Sequence, residues 1–399
     1  MNILFLTLGK IYDLKSSDIY TDLIECFIQH GHRVIVVSPY ERRMGRETAY
    51  YKADHAEFLV VKTLNIQQTG IVEKGIGTLL IGRQYKRAID KYLKDDRIDL
   101  VTYSTPPITL ASVVKYVKKK YGAKSYLQLK DIFPQNAVDI GMMKDKGILY
   151  HYFRNKEKDL YSISDFIGCM SPANVKYLLE HNPNVRSQKV GICPNAIALR
   201  KHPVIDVFEV RQKYGLPTDK PIFLYGGNLG KPQGIDYLVR CLKTVANRQD
   251  CHFLIVGSGT EANKVEAFIR QESPTNISKI DFLPKEDYYQ VVASCDIGLI
   301  FLDYRFTIPN FPSRLLPYLE YKMPLICASD VNTDIKDVIE DNHFGFWCES
   351  RNTEDFDECV DRMLGSDYKA MGEKGFEFLT AHFQVEKAFD AIIQSVKQS

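Results

Sequence analysis

Tyr225-Gly226-Gly227-Asn228-Leu229-Gly230-Lys231-Pro232-Gln233-Gly234 decides how the chain is read. The apolar run Pro221 to Leu224 feeds into it, and the amphipathic run Ile235 to Val245 leaves it. That is a strand, a Gly-rich turn and a helix. The N–H groups at a helix N-terminus lack intrahelical partners and carry the positive end of the helix dipole. Glycine lets such backbone approach an anion closely. The stretch reads as a diphosphate cradle or as a tight turn that binds nothing, and spacing alone leaves the two level.

Outward from it, strand and helix alternate on both sides. In the second half the pattern predicts strands over 221–225, 252–256, 279–282, 296–301 and 324–327. Helices fit 235–247, 261–271, 286–294, 313–321, 333–340 and 353–364, with two more in the 366–397 tail, broken near His382-Phe383. In the first half strands fit 2–7, 33–38, 58–61, 100–103, 125–129, 166–170 and 190–193. Helices there fit 17–29, 78–94, 107–121, 147–161 and 172–181. Such alternation predicts α/β architecture with doubly wound parallel sheets. Residues 196–220, with Pro203 and Pro217 around a short helical piece, break the rhythm and read as a linker. The expected domains are therefore 1–195 and 221–382, with a final helical segment over 383–399. Two such domains facing each other would frame a cleft, since ligands of open α/β sheets bind beyond the carboxyl ends of the strands.

Composition bounds the function. Apolar content of 45% and charged content of 26% suit a folded chain, and a net charge of +2 argues against a globally basic nucleic-acid binder. The nine cysteines are scattered, without a CxxC pair, and read as buried thiols in a reducing compartment. Met1 to Leu6 reads as a strand and not a signal peptide, and no apolar run is long enough to span a bilayer. The expected location is cytoplasmic.

Several strand ends carry candidate chemistry. Gly257-Ser258-Gly259-Thr260-Glu261 reads as a turn capped by Thr260 or as a ligand contact. Phe282-Leu283-Pro284 offers an apolar surface to a nucleobase, or is ordinary turn packing. Asp303-Tyr304-Arg305-Phe306 opens a long irregular loop suited to substrate contact. Pro312-Ser313 reads as a helix start, which would aim Ser313, Arg314 and first-turn amides at a phosphate. Glu320, about two turns on, is either a ribose-hydroxyl acceptor or a surface glutamate. In the first half, Lys130 and Asp131 leave a strand end beside Phe133-Pro134, a site candidate against a salt-bridged loop. Lys10 in the first βα loop and Ser104 and Thr105 after a later strand are weaker candidates for acceptor contact. Asn195 reads as a hinge turn or a cleft contact. Lys115 to Tyr121, and Ile71 to Ala88 with Lys74, Arg83, Lys86 and Arg87, read as solvated basic faces or as surfaces for anionic lipid.

The ordered set 226–234, Gly257-Ser258-Gly259, Phe282-Leu283-Pro284, Pro312-Ser313-Arg314-Leu315 and Lys322-Met323-Pro324 resembles retaining GT-B glycosyltransferases of the group 1 family, those that build bacterial surface polysaccharide. Pro194-Asn195-Ala196-Ile197 resembles that family's Pro-Asn-Gly-Val turn. The resemblance covers nearly the whole chain. Within the family it is most similar to the aminosugar transferases of capsule and O-antigen synthesis. It implies two facing Rossmann-like domains, the first for acceptor and the second for nucleotide sugar, with the last helix crossing back to the first. It also implies that Gly227, Asn228, Gln233, Ser313 and Arg314 face the diphosphate, and that Glu261, Leu283 and Pro284 lie near the nucleoside.

The sequence departs from the family pattern in places. Asn228 and Gln233 stand where the loop usually has an arginine and a lysine, which leaves the diphosphate to amides, Arg314 and Lys231. Pro309 and Pro317 stand where two glutamates are usual, and Lys130 where a histidine often precedes Asp131. The expected activity is retaining transfer of a UDP-activated hexose or aminosugar to a lipid-linked saccharide. In it Asp131 positions acceptor or sugar, and Lys130 or Arg314 offsets charge. No carboxylate cluster for Mg²⁺ is evident, so no cofactor and no metal are expected. Two other readings share the scaffold: a degenerate partner that binds nucleotide sugar without turnover, and a nucleotide-sugar epimerase.

Overall fold

The computed structural model describes residues 1–66 and 70–397 and divides into two compact units, Met1–Ala198 with Gln384–Ser399, and Leu199–Phe383. The first is built on strands β1 (Asn2–Leu6), β2 (Arg33–Glu41), β3 (Ala49–Ala53), β4 (Ala56–Thr63), β5 (Leu100–Ser104), β6 (Lys124–Leu129), β7 (Phe166–Cys169) and β8 (Val190–Ile192). They lie in the order β3-β4-β2-β1-β5-β6-β7-β8. Pairing is parallel, with Leu4 opposite Ile35 on one side and Val101 on the other, except for the antiparallel β3–β4 edge. Ile3, Leu4, Phe5 and Leu6 are all buried, as strands covered on both faces require. Helices Ile71–Tyr92, Ala111–Tyr121 and Ile148–Ile163 cover one face through Ile81, Tyr85, Val113, Val117 and Leu160.

Helix Thr21–Gln29 and the C-terminal helix Val385–Lys397 cover the other face. The latter turns Val385, Ala388, Phe389, Ile392 and Ile393 inward, and Phe389 stacks on His30 with centroids 4.1 Å apart. It is tied in at its start, where the Val385 N–H donates to the Ile197 carbonyl at 2.9 Å.

The second unit uses β9 (Ile222–Gly226), β10 (His252–Val256), β11 (Ile277–Ile280), β12 (Ile297–Phe301), β13 (Leu325–Ser329) and β14 (Gly345–Glu349), in the order β11-β10-β9-β12-β13-β14. Every pairing in this sheet is parallel. Helices Ile235–Thr244, Ala262–Glu272 and Thr353–Leu364 bury one face through Leu238, Val265, Phe268 and Phe356.

Residues 199–220, expected as linker, belong to the second unit. Arg211 on the short helix Val207–Lys213 anchors them. It is buried, pairs with Asp296 at 2.7 Å and donates to the Ser294 carbonyl at 2.8 Å. β3 and β14 were not expected from the sequence. β3, Ala-Tyr-Tyr-Lys-Ala, is a half-exposed edge, and β14 opens on a glycine, so neither shows a buried apolar run. All nine cysteines are free and buried. Among the described residues no helix is long and apolar enough to cross a membrane.

Candidate functional site

In a doubly wound sheet, the ligand crevice opens where successive connections leave toward opposite sides. In the second unit β10 lies on one side of β9 and β12 on the other. The switch point therefore holds the Gly-rich turn leaving Gly226 and the Leu302-Asp303 segment leaving β12. The two segments are joined, since the Asp303 N–H donates to the Pro232 carbonyl at 3.0 Å.

The turn is laced to its neighbour after β10. The Gly227 N–H donates to Val256 O at 2.8 Å, Leu229 to Ser258 O at 2.9 Å, and Glu261 to Leu229 O at 2.9 Å. A Cβ on Gly257 would collide with the Gly227 carbonyl oxygen. Gly227 has φ +131° and is exposed with Asn228. A side chain on Gly227 would meet Arg314 Nη2 at 2.7 Å. The Arg314 guanidinium thus lies against Gly227 and over the Tyr225 ring, 4.5 Å from its centroid, a cation–π arrangement. Beneath, the Tyr318 hydroxyl accepts from the Gly226 N–H at 2.9 Å and donates to Leu224 O at 3.1 Å. Among the described residues the Asn228 N–H has no hydrogen-bond partner. The surface at this point is an exposed N–H beside a fixed guanidinium, suited to an anionic oxygen.

The other expected donor residues divide. Gln233 folds back on the turn, its Oε1 accepting from Asn228 Nδ2 at 3.1 Å and from the Gly230 N–H at 3.3 Å. It braces the loop. Lys231 and Glu261 line a separate cavity of about 430 Å³ with Asp236, Lys264 and Asp303. Glu261 is ion-paired there to Lys264 at 3.2 Å and stands at the N-cap of helix Ala262–Glu272, so Thr260 does not cap it. Leu283 is half-buried and Pro284 exposed. They precede helix Lys285–Ala293, whose Tyr288 packs on Gly226.

The helix expected to start at Ser313 starts at Leu315 and ends at Glu320. The Leu315 and Leu316 N–H groups donate to Pro312 O at 3.3 Å and Ser313 O at 3.1 Å. Those amides are spent in a turn, so the positive contribution here is the Arg314 side chain. Ser313 is exposed and caps nothing. Glu320 Oε1 lies 3.0 Å from His202 Nε2, and the Tyr321 hydroxyl is 2.8 Å from His202 Nδ1, so its carboxylate belongs to that cluster.

In the first unit the switch point falls between β1 and β5, with β6 beside β5. Thr105, leaving β5, is buried, and its hydroxyl organises the end of β6. It accepts from the Lys130 N–H at 3.1 Å and the Asp131 N–H at 3.2 Å and donates to Asp131 O at 2.9 Å. Thr105 therefore positions the Lys130-Asp131 backbone instead of presenting itself to an acceptor. Lys130 Nζ sits 4.0 Å from the Tyr20 ring centroid, and the Tyr20 hydroxyl reaches Ser104 Oγ at 3.4 Å. Burial pushes the Lys130 ammonium down to about 7 and the Asp131 carboxyl up to about 6, the latter opposed by a 2.8 Å hydrogen bond from Asn136 Nδ2. Two adjacent perturbed groups at a strand end mark a functional-site candidate. Lys10 is drawn off to Glu41 at 3.4 Å. Asn195 Oδ1 is buried without a hydrogen-bond partner.

Tyr225, Tyr288, Tyr20 and Asn136 complete these sites and were not singled out from the sequence. Tyr225 alone left a signal, an aromatic at the last turn of a strand before paired glycines. Among the described residues no group of three His, Cys, Asp or Glu is placed to hold a metal ion.

The chain is 22% identical over 278 residues to "Probable glycosyltransferase WbjE" of Pseudomonas aeruginosa, covering 69% of this chain and 68% of the relative. It is 27% identical over 157 residues to the alpha-D-kanosaminyltransferase of Streptomyces kanamyceticus, covering 39% of each. Among solved structures it superposes on sucrose-phosphate synthase from Thermosynechococcus elongatus with a TM-score of 0.76 at 16% identity, covering 100% and 98% of the two chains. It superposes on Anabaena Alr3699/HepE in complex with UDP-glucose with a TM-score of 0.70 at 13% identity, covering both chains fully. These likenesses establish the GT-B fold. Residues 206–378, which include the Gly-rich turn and Arg314, match the model for glycosyl transferases group 1.

Proposed function

We propose that the chain is a retaining glycosyltransferase that moves a hexose or aminosugar from a UDP-sugar to a lipid-linked saccharide. The observation that carries the reading is Arg314 packed on Gly227 and Tyr225 beside the exposed Asn228 N–H, inside the matched domain. Charge growing on a leaving diphosphate is stabilised by preorganised donors at that place. The acceptor hydroxyl attacks from the face the diphosphate leaves, and the leaving oxygen takes its proton, so no protein nucleophile is used. Asp131 and Lys130 in the first unit orient the acceptor. The UDP-glucose complex of HepE, a structural neighbour, supports the donor class. Catalysis is proposed to need no metal.

We also propose that the first unit rests on anionic lipid. Leu79 and Tyr152 line one hollow with Lys115 and Lys156, and Ile148 and Leu149 are exposed on the same helix as Tyr152. Exposed apolar side chains beside lysines suit an anionic bilayer surface, with Lys115 the stronger contributor because Lys156 lies 3.8 Å from Asp159 in the same hollow. The lysine run after Lys115 contributes less than its sequence suggests, because Lys118 pairs with Asp165 and Lys120 with Asp90. Arg87 lines a different hollow, with Glu47 and Lys62, and the Lys74 side chain lies outside the described residues.

The test is thermal shift with UDP, GDP, ADP, dTDP and their sugars, with and without EDTA, since a ligand of the folded state raises Tm by mass action. A selective, EDTA-insensitive shift with UDP-sugar that is lost in Arg314→Ala is expected. No shift with any nucleotide overturns the donor site. Binding without turnover on polyprenyl-diphosphate-linked saccharides, or a β product from an α donor by NMR, overturns retaining transfer.

A further inference from the structure

The cavity of about 430 Å³ beside Lys231 is not explained by a donor held at Gly227 and Arg314. Its wall is built from the start of helix Ile235–Thr244, the start of helix Ala262–Glu272, the Asp303-Tyr304-Arg305 loop and Ser350. Its size is ordinary for a small-molecule site. Ser350 is fully buried in that wall, and its Oγ has no hydrogen-bond partner. A buried hydroxyl without a partner is costly and calls for a ligand or ordered water at that position.

The charges around it are only partly balanced. Asp303 is buried and chelated by Arg305, at 2.8 Å from Nε and 2.7 Å from Nη2. Lys264 is shared between Asp236 at 2.7 Å and Glu261 at 3.2 Å. Lys231 and Arg240 have no ion-pair partner among the described residues. Lys231 thus stands just before a ten-residue helix whose N-terminal dipole favours an anion, and Arg240 lies halfway along that helix, over the Tyr237 ring. Tyr304 in the cavity wall is exposed, with the Arg351 guanidinium over one face of its ring, 4.9 Å from the centroid, and the other face left to a ligand.

We propose that this cavity is a second ligand site, separate from the donor face, that takes a compact phosphorylated polyol such as a hexose phosphate. The phosphate lies on Lys231, Arg240 and the helix N-terminus. The hydroxyls meet Ser350 Oγ and the Asp303 carboxylate, and the sugar ring lies against Tyr304. The site communicates with the donor turn, because Lys231 and Gly234 belong to that turn and Asp303 is bonded to Pro232.

The test titrates the full chain with mannose 6-phosphate, inorganic phosphate and free mannose by calorimetry, in parallel with UDP. Saturable binding of mannose 6-phosphate is expected, weakened at least about tenfold by Arg240→Glu and by Ser350→Ala, with UDP binding unchanged in both. Loss of mannose 6-phosphate binding in Arg314→Ala but not in Arg240→Glu would put the ligand in the donor site and overturn the proposal. Inorganic phosphate binding as tightly as mannose 6-phosphate, or no heat with any of the three, would do the same. Ser350→Ala removes only the orphaned oxygen, so it separates loss of a contact from loss of the fold. Failure of UDP binding alone would strike the donor reading and leave this one standing.

Discussion

Arg314 shows how much one side chain can depend on the absence of another. Its guanidinium occupies the space that a Cβ on Gly227 would fill. Arg314→Lys keeps the charge but loses the planar stack on Tyr225, and a point charge does not reproduce a fork. We expect Arg314→Lys to weaken UDP binding by about tenfold, roughly 1.4 kcal/mol, and Arg314→Ala by more. Equal affinity of Arg314→Lys and the parent by calorimetry would show that the stack is irrelevant to the donor.

Lys130 carries a pH signature. Its ammonium is pushed down to about 7 by burial, whereas an unfolded lysine titrates near 10.4. Between those values the unfolded chain holds a proton that the folded chain lacks, so this residue makes stability rise with pH. Below that window both states hold the proton and the burial penalty is complete. Lys130→Met should therefore gain Tm relative to the parent as the pH falls from about 10 to about 6. A Tm difference that does not change with pH across that span would show that Lys130 is not desolvated. Asp131 runs the other way. Its carboxyl, held up to about 6, loses stability for the fold as pH rises from the unfolded value near 3.9 toward 6.

At the scale of elements, the second unit's site depends on two turns that share backbone. Gly257 must lack a side chain because the Gly227 carbonyl occupies its place. Gly257→Ala should cost about 1–3 kcal/mol by overpacking and lower UDP affinity by displacing Gly227, measured by denaturant unfolding and calorimetry. A variant with parental stability and affinity would show that the two turns move independently. The segment before β9 behaves similarly. Arg211→Ala leaves Asp296 and the Ser294 carbonyl without their partner and should cost about 3–5 kcal/mol. Unchanged unfolding would show that 199–220 is the loose connector that its prolines suggest.

The strands of both sheets were largely legible as apolar runs between turn residues, because strands buried on both faces leave no alternative composition. The start of the helix after Pro312 was not. Pro-Ser is a helix-start signature, yet two turn hydrogen bonds close first and delay the helix to Leu315. Glu320 was ambiguous because its partner, His202, is distant in sequence. The laced turns and the Tyr20–Lys130 contact were hidden for the same reason, since each joins segments that only the sheet order brings together.

At the scale of the molecule, the chain repeats one solution twice. Each unit places a turn at its own switch point, with a cation over a tyrosine ring close by: Lys130 on Tyr20 in the first, Arg314 on Tyr225 in the second. The first unit also carries an exposed apolar surface. Ile148 is 93% exposed and Leu149 56% exposed, side by side at the start of a helix that also carries Tyr152 and Lys156. Single exposed aliphatic side chains are ordinary, and an adjacent pair on a helix that also carries an exposed tyrosine suits a docking face. If that face meets a bilayer, apolar insertion and lysine attraction should both be needed. The protein should co-float with vesicles containing phosphatidylglycerol and not with purely zwitterionic ones, and salt should release it, because the lysine contribution is screened. Ile148→Asp with Leu149→Asp should abolish flotation without lowering Tm, since neither side chain is buried. Flotation that survives this double substitution would move the lipid contact elsewhere on the chain, and binding indifferent to lipid charge would remove the lysines from it.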